Sequence, residues 1–191
     1  MYTIRKAEKS DYKEIANFLL MAMEDIVYKF IGQEERDRAL AFLEHFTAQK
    51  GNQYSYENCY VILDNGTIIG AANVYDGAYL ARLRAPIKRH IEATYQRDFA
   101  PEDETQAGEF YLDTLGISPQ YRGKGLGTRL LNFLIAEYAG KHHKPLGLLV
   151  DLENPKAKKL YENLGFEKVG NKTLMGKMME HLQYKPKKSI N

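Results

Sequence analysis

Apolar residues recur along this chain with two different periods, and the switches between them divide it into elements. Tyr2-Thr3-Ile4-Arg5 alternates as a first strand. Ser10 or Asp11 then stands where a cap is needed for a helix carrying Ile15, Phe18, Leu19, Ala22 and Ile26 on one face. After a loop over residues 27–32, Leu40, Leu43 and Phe46 mark a second helix from Glu34 to about Gln49. Cys59 to Asp64 and Thr67 to Tyr75 are strand-like runs on either side of Asn65-Gly66. That pair tolerates the positive φ angles of a two-residue type I′ turn, so the two runs predict a hairpin. From Asp76 to Gly108 the pattern changes: Pro86 suits a helix's first position, and Ile87, Ile91 and Tyr95 follow on one face. Residues 98–104 read as a polar, acidic loop.

Glu109 to Ile117 is the central strand, and Leu126, Leu130, Leu131, Leu134, Ile135 and Tyr138 then recur at helical spacing toward Gly140. Pro145 to Val150 is a buried strand; Asn154 as N-cap, Pro155 at the first helical position and Gly165 past the end bound another helix. Residues 166–170 and 174–180 predict a closing hairpin. Strands mixed with helices throughout predict an α/β fold with one mixed sheet of about six or seven strands, flanked by four or more helices. At 191 residues, without repeats or a composition break, the chain should form a single domain over 1–191. The 76–108 segment exceeds what neighbouring strands need; it reads as a lid over a substrate site, a dimer contact or a charged solvated surface.

The candidate chemistry lies where the central strand meets the long helix, in Ile117-Ser118-Pro119-Gln120-Tyr121-Arg122-Gly123-Lys124-Gly125-Leu126-Gly127. Gly123, Gly125 and Gly127 remove side chains where a ligand would approach the backbone, so amide N–H groups and the positive helix end face outward. With Arg122 and Lys124 beside them, this combination suits a diphosphate. A Walker loop is excluded, because no Lys followed by Ser or Thr closes the run. A dinucleotide fingerprint fits imperfectly: its last glycine would fall on Thr128 or Leu130. Asp151, at the end of the next apolar run, keeps a nucleotide as the second reading, since it stands where a ribose-binding acid is needed.

The spacing Arg122-x-x-Gly125-x-Gly127, after a strand and opening a helix, resembles the acyl-CoA signature of the GNAT superfamily of N-acetyltransferases. Asn154-Pro155-x-Ala157-x-x-Leu160-Tyr161-x-x-Leu164-Gly165-Phe166 is similar to that family's closing helix, in the family's order. The resemblance implies a GNAT-like domain whose central strands splay at the acyl-CoA site. It implies acetyl-CoA as co-substrate, held by backbone groups of Leu115 and Ile117, the amides from Arg122 to Thr128 (Arg122, Gly123, Lys124, Gly125, Leu126, Gly127, Thr128), and Asn154. It implies direct attack of a primary amine on the thioester, with Tyr161 protonating the departing thiolate. In the family the connection after the first helix shapes the acceptor pocket, which brings in Tyr28 and Phe30.

For the base, Glu109, Tyr111 and Asp113 are spaced by two along the central strand and should share a face with Leu115 and Ile117. Glu109 or Asp113 could accept the amine's proton or attract a cationic amine, with Tyr111 beside them; plain solvent-facing alternation explains the same spacing. The alternative to an enzyme is a non-catalytic acyl-CoA sensor or interaction module. Composition narrows the partners. Net charge of +2 gives no reason to expect nucleic acid, and no stretch is apolar enough for a membrane span, so a cytoplasmic protein is expected, with a homodimer as default. A lone Cys59 in a strand-like run reads as a core residue, and no His/Cys/Asp/Glu spacing suggests a metal. The acceptor is left open among small-molecule and peptide amines. Lys185, Lys187 and Lys188 read as a solvated basic tail.

Overall fold

The computed structural model describes residues 1–186. Its seven strands are β1 (Tyr2–Lys6), β2 (Cys59–Asp64), β3 (Thr67–Asp76), β4 (Phe110–Ile117), β5 (Leu146–Asp151), β6 (Glu167–Leu174) and β7 (Lys177–Tyr184). They form one sheet in the order β1-β2-β3-β4-β5-β7-β6, antiparallel everywhere except between β4 and β5. Five helices cover it: α1 (Tyr12–Ile31), α2 (Arg36–Thr47), α3 (Leu80–Tyr95), α4 (Leu126–Ile135) and α5 (Pro155–Asn163). No helix among the described residues is long and apolar enough to cross a membrane.

Burial on both faces of the sheet follows from the continuous apolar runs of its inner strands. Along β2, Cys59, Val61 and Leu63 join the core under α1 and α2, with Leu19, Phe42 and Leu43. Tyr60 and Ile62 join the opposite core, where Leu126, Leu130, Leu131 and Leu134 of α4 pack over Leu112, Leu148 and Leu182. The Asn65-Gly66 turn has the expected positive φ at both residues, 47° and 87°. Cys59 is fully buried, and burial pushes its thiol up to about 12, which makes it an inert core residue.

Three expected boundaries move, and one loop is partly buried; in α1, α3 and that loop, burial overrides local preference. The loop expected over 27–32 is helical to Ile31: a kink at Met23 (φ −136°) rotates the apolar stripe, so Met23, Val27, Phe30 and Ile31 are buried and Ala22 is exposed. Pro86 lies inside α3 and not at its start, because the buried stripe begins with Leu80 and Leu83 before reaching Ile87 and Ile91. The closing hairpin turns at Met175-Gly176, whose φ values are 50° and 76°, so Leu174 ends one strand and does not begin the next. The loop expected to be solvated over 98–104 has Phe99 and Glu104 buried. Of the basic tail, Lys187 and Lys188 lie outside the described residues.

Candidate active site

Two strands separate at the centre of the sheet. β4 and β5 pair in parallel only through Phe110, Leu112 and their neighbours opposite Leu146 to Leu148; beyond Leu112 the pairing stops, while β5 stays paired with β7 as far as Asp151. The Ser118 N–H donates to Ile69 O at 2.8 Å, toward β3. By the alternation of an antiparallel ladder, the N–H and C=O of Leu115 and Ile117 therefore point the other way, into the gap. Gly116 lets α1 lie on this part of β4: a Cβ there would come within 2.5 Å of the Phe18 carbonyl oxygen.

The glycine turn closes one end of the gap. Gly123 and Gly125 hold φ of 75° and 73°, a conformation L side chains rarely adopt, and added Cβ atoms at either would meet open space. Gly125 caps α4, and the first amide to find a partner within that helix belongs to Arg129, which donates to Gly125 O at 2.9 Å. The amides of Gly123, Lys124, Gly125, Leu126, Gly127 and Thr128 thus have no backbone partner among the described residues, and can bind an anion. Arg122 is different. Its amide donates to Pro119 O (3.3 Å), so the cradle starts at Gly123, while its guanidinium sits at Ile117 O and Met21 Sδ. Gly127 backs onto the side chains of Leu115 and Ile117. Across the gap, Asn154 Oδ1 caps α5 by accepting from the Ala157 amide at 3.1 Å.

A half-buried pocket lies on the α1 face at the point where β4 and β5 part. Asp113 is the first residue beyond the paired stretch, and a β-bulge there, between the Val74–Leu112 and Asn73–Thr114 pairs, breaks the alternation. Tyr111, Asp113 and Thr114 consequently face α1 and α3, whereas Leu115 and Ile117 pack against the α4 core. The expectation that all these odd-numbered residues share a face fails at that single extra residue. Asp113 Oδ2 accepts from Gln53 Nε2 (2.9 Å) and Oδ1 from Thr114 Oγ1 (3.2 Å). Gln53 Nε2 also donates to Glu104 Oε1 (2.7 Å), which accepts from the Tyr75 hydroxyl as well (2.8 Å). Arg84 pairs with the other Glu104 oxygen. Burial and the neighbouring Glu104 charge push Asp113 up to about 7, against the stabilising hydrogen bonds from Gln53 and Thr114. That range suits a general base.

The other sequence candidates divide. Phe30 lines the pocket and meets Phe99 edge to face at 4.8 Å. Tyr28 does not line it; its hydroxyl donates to Glu24 at 2.9 Å. Tyr111 is buried beside Tyr75 beneath α3. Glu109 is fully buried, where Oε1 accepts from Thr105 (2.7 Å) and Oε2 takes Gln183 (2.7 Å) and His181 (2.9 Å). Burial raises its carboxyl, but these hydrogen bonds outweigh it and hold the group below its ordinary range. Glu109 is therefore a structural anchor away from the pocket. Because its folded-state pKa is lowered, its contribution is present at neutral pH and is lost as pH falls through the folded value. Glu109→Gln should lower unfolding free energy at pH 7 by about 1–3 kcal/mol. The deficit should shrink below about pH 4, as urea titrations at both pH values would show. Tyr161 packs against the same core as Leu115 and Ile117, burial raises its hydroxyl, and that hydroxyl has no partner among the described residues. Gln53, Glu104, Arg84 and Tyr75 were invisible in the sequence, since a loop glutamine and an acidic run carry no periodic signal.

The Acetyltransferase (GNAT) family profile matches residues 20–166, which spans the split strands, the glycine turn and the helix that carries Tyr161. The chain belongs to the GNAT acetyltransferase family. Curated relatives named as acetyltransferases match parts of it. It is 37% identical over 62 residues to the N-alpha-acetyltransferase RimI of Mycobacterium tuberculosis, covering 32% of this chain and 37% of that one. It is 30% identical over 97 residues to acetyltransferase Atu2258 of Agrobacterium fabrum, covering 48% of this chain and 69% of the other. The chain thus spans well under half of the RimI relative it matches. A solved acetyltransferase superposes with TM-score 0.78 at 30% identity, over 97% of this chain and 100% of the other. An N-acetyltransferase from Staphylococcus aureus Mu50 shares the fold with TM-score 0.79 at 23% identity, over 95% and 100% of the two chains. In this GNAT-family chain Asp151 is ion-paired with Lys177, and the largely antiparallel sheet is not the doubly wound parallel one a dinucleotide fold requires.

Proposed function

We propose that this chain transfers an acetyl group from acetyl-CoA to a primary amine in a ternary complex. The observation that carries the reading is the succession of three features along β4 and the turn after it: a half-buried carboxylate where the strands part, a strand edge and an amide cradle that have no backbone partner among the described residues. The amides of Gly123 to Thr128 hold the diphosphate, and the exposed edge at Leu115 and Ile117 pairs with the amides of the pantetheine arm, as a missing strand would. Asn154, whose side-chain oxygen is engaged in its cap, has its amide nitrogen left to offer from the far side.

An arm laid along that edge delivers its thioester to Asp113. The acceptor arrives as an ammonium ion, and Asp113 takes one proton to free the nitrogen lone pair. Nitrogen attacks the carbonyl carbon, the new C–N bond forms, and the C–S bond breaks with its electron pair leaving on sulfur. Tyr161, protonated at neutral pH, donates a proton to that thiolate and recovers one from the second N–H of the attacking nitrogen through solvent. The 76–108 segment contributes Phe99, Pro101 and Glu104 to the pocket, which supports the role of acceptor lid.

The test is release of CoA thiol in the presence of amines. Tyr161→Phe should lower kcat by about tenfold or more while acetyl-CoA affinity, read by calorimetry, stays the same. Unchanged kcat would remove the acid role. Binding of acetyl-CoA without thiol release from any amine would support an acyl-CoA sensor in place of an enzyme.

A further inference from the structure

We infer that the acceptor is a small primary amine with one cationic head and an apolar body, carrying neither a carboxylate nor a second ammonium. The inference rests on the proposed use of Asp113 and extends it to the pocket walls.

The charges around the pocket have already been matched. Two carboxylates face it, but Glu104 is engaged on both oxygens, by Arg84 on one and by Gln53 and Tyr75 on the other. Asp113 has no cationic partner among the described residues, so the pocket can neutralise one ammonium. A second ammonium, as in a polyamine, would lose its water without gaining a counter-charge. The cation is committed too. Arg84 donates to Pro101 O (3.1 Å), Asp103 Oδ1 (2.9 Å) and Glu102 O (3.1 Å), besides Glu104, which occupies four of its five N–H groups. The carboxylate of an amino-acid acceptor would find no free cation in the lining.

Besides Tyr54 and Pro101, what is left of the wall is hydrocarbon: Met23, Ile26, Phe30, Phe99 and Leu174. Such a surface gains by covering apolar area and gives nothing to a polar chain. The mouth is also restricted. Glu102 accepts from the Met175 and Gly176 amides at the tip of the β6–β7 hairpin (2.8 and 3.3 Å), and Lys172 Nζ donates to Asp103 O (3.2 Å). This strap joins the acidic loop to the hairpin and holds Leu174 against the pocket, which favours a small body over a peptide.

The experiment gives the full chain acetyl-CoA and matched concentrations of 2-phenylethylamine, hexylamine, spermidine, leucine and a lysine-containing peptide, and reads CoA thiol release. The expected result is kcat/KM for the two apolar monoamines about tenfold or more above the other three. Spermidine, leucine or the peptide equalling them would overturn the inference while leaving amine transfer intact. No release with any amine, while acetyl-CoA still raises Tm, would remove amine transfer itself and this inference with it. Leu174→Glu adds a second carboxylate to the wall and should raise the spermidine-to-hexylamine ratio about tenfold; an unchanged ratio would show that acceptors do not use this pocket.

Discussion

Asp113→Asn is expected to lower kcat/KM for the amine by about 10²- to 10⁴-fold near pH 7, with acetyl-CoA affinity unchanged. The substitution keeps an oxygen for Gln53 to donate to, so the pocket retains its shape and loses only the proton acceptor. Wild-type kcat/KM should rise with pH through about 7, as Asp113 ionises. The variant should lack that limb, and a limb that survives in Asp113→Asn would assign it to another group. Stability should move in the opposite sense. Asp113 titrates higher in the fold than in an unfolded chain, so what it contributes to stability is present at low pH and is lost as pH rises through about 7. Above that, the wild type carries an ionised carboxylate beside Glu104 that the variant lacks. Asp113→Asn should therefore melt higher than wild type at pH 8, and the gap should narrow toward pH 5. A variant that is slower and more heat-resistant together separates loss of chemistry from loss of fold.

Gly125→Val should abolish measurable acetyl-CoA binding, a loss of about 100-fold or more. Two effects add. A β-branched residue at φ 73° is strained, and its side chain would occupy the open space through which an anion reaches the amides. The fold should survive, because nothing of the protein lies within 4 Å of the added Cβ. Calorimetry with acetyl-CoA, alongside circular dichroism, checks both halves. Retained affinity with native secondary structure would place the diphosphate elsewhere and withdraw the proposed donor site.

How much of this was legible in the sequence depended on the range of the interactions. The Asn65-Gly66 hairpin, the glycine turn and the Asn154 to Gly165 helix are written in local signals, and the structure places them where those signals stand. Elements read from periodicity alone shifted where a kink or a long-range contact intervened, as at Met23 and Pro86. The site divided the same way. The glycine turn was readable because backbone geometry needs particular residues there. The different surroundings of Glu109 and Asp113 were not, because they depend on one bulged residue and on partners 60 and 72 positions away, Gln53 and His181. No pattern along a strand announces a single extra residue in its ladder.

The short contact between β4 and β5 has a further meaning for turnover. The two halves of the sheet meet through three residue pairs, and the α4 core bridges them from one face. On the proposed reading, the pantetheine arm supplies the hydrogen bonds that an intervening strand would make. The co-substrate then behaves as a removable eighth strand, and each catalytic cycle opens and closes the sheet along one seam. Departure of CoA becomes a small unzipping event, whose speed depends on how readily that seam stands open to water.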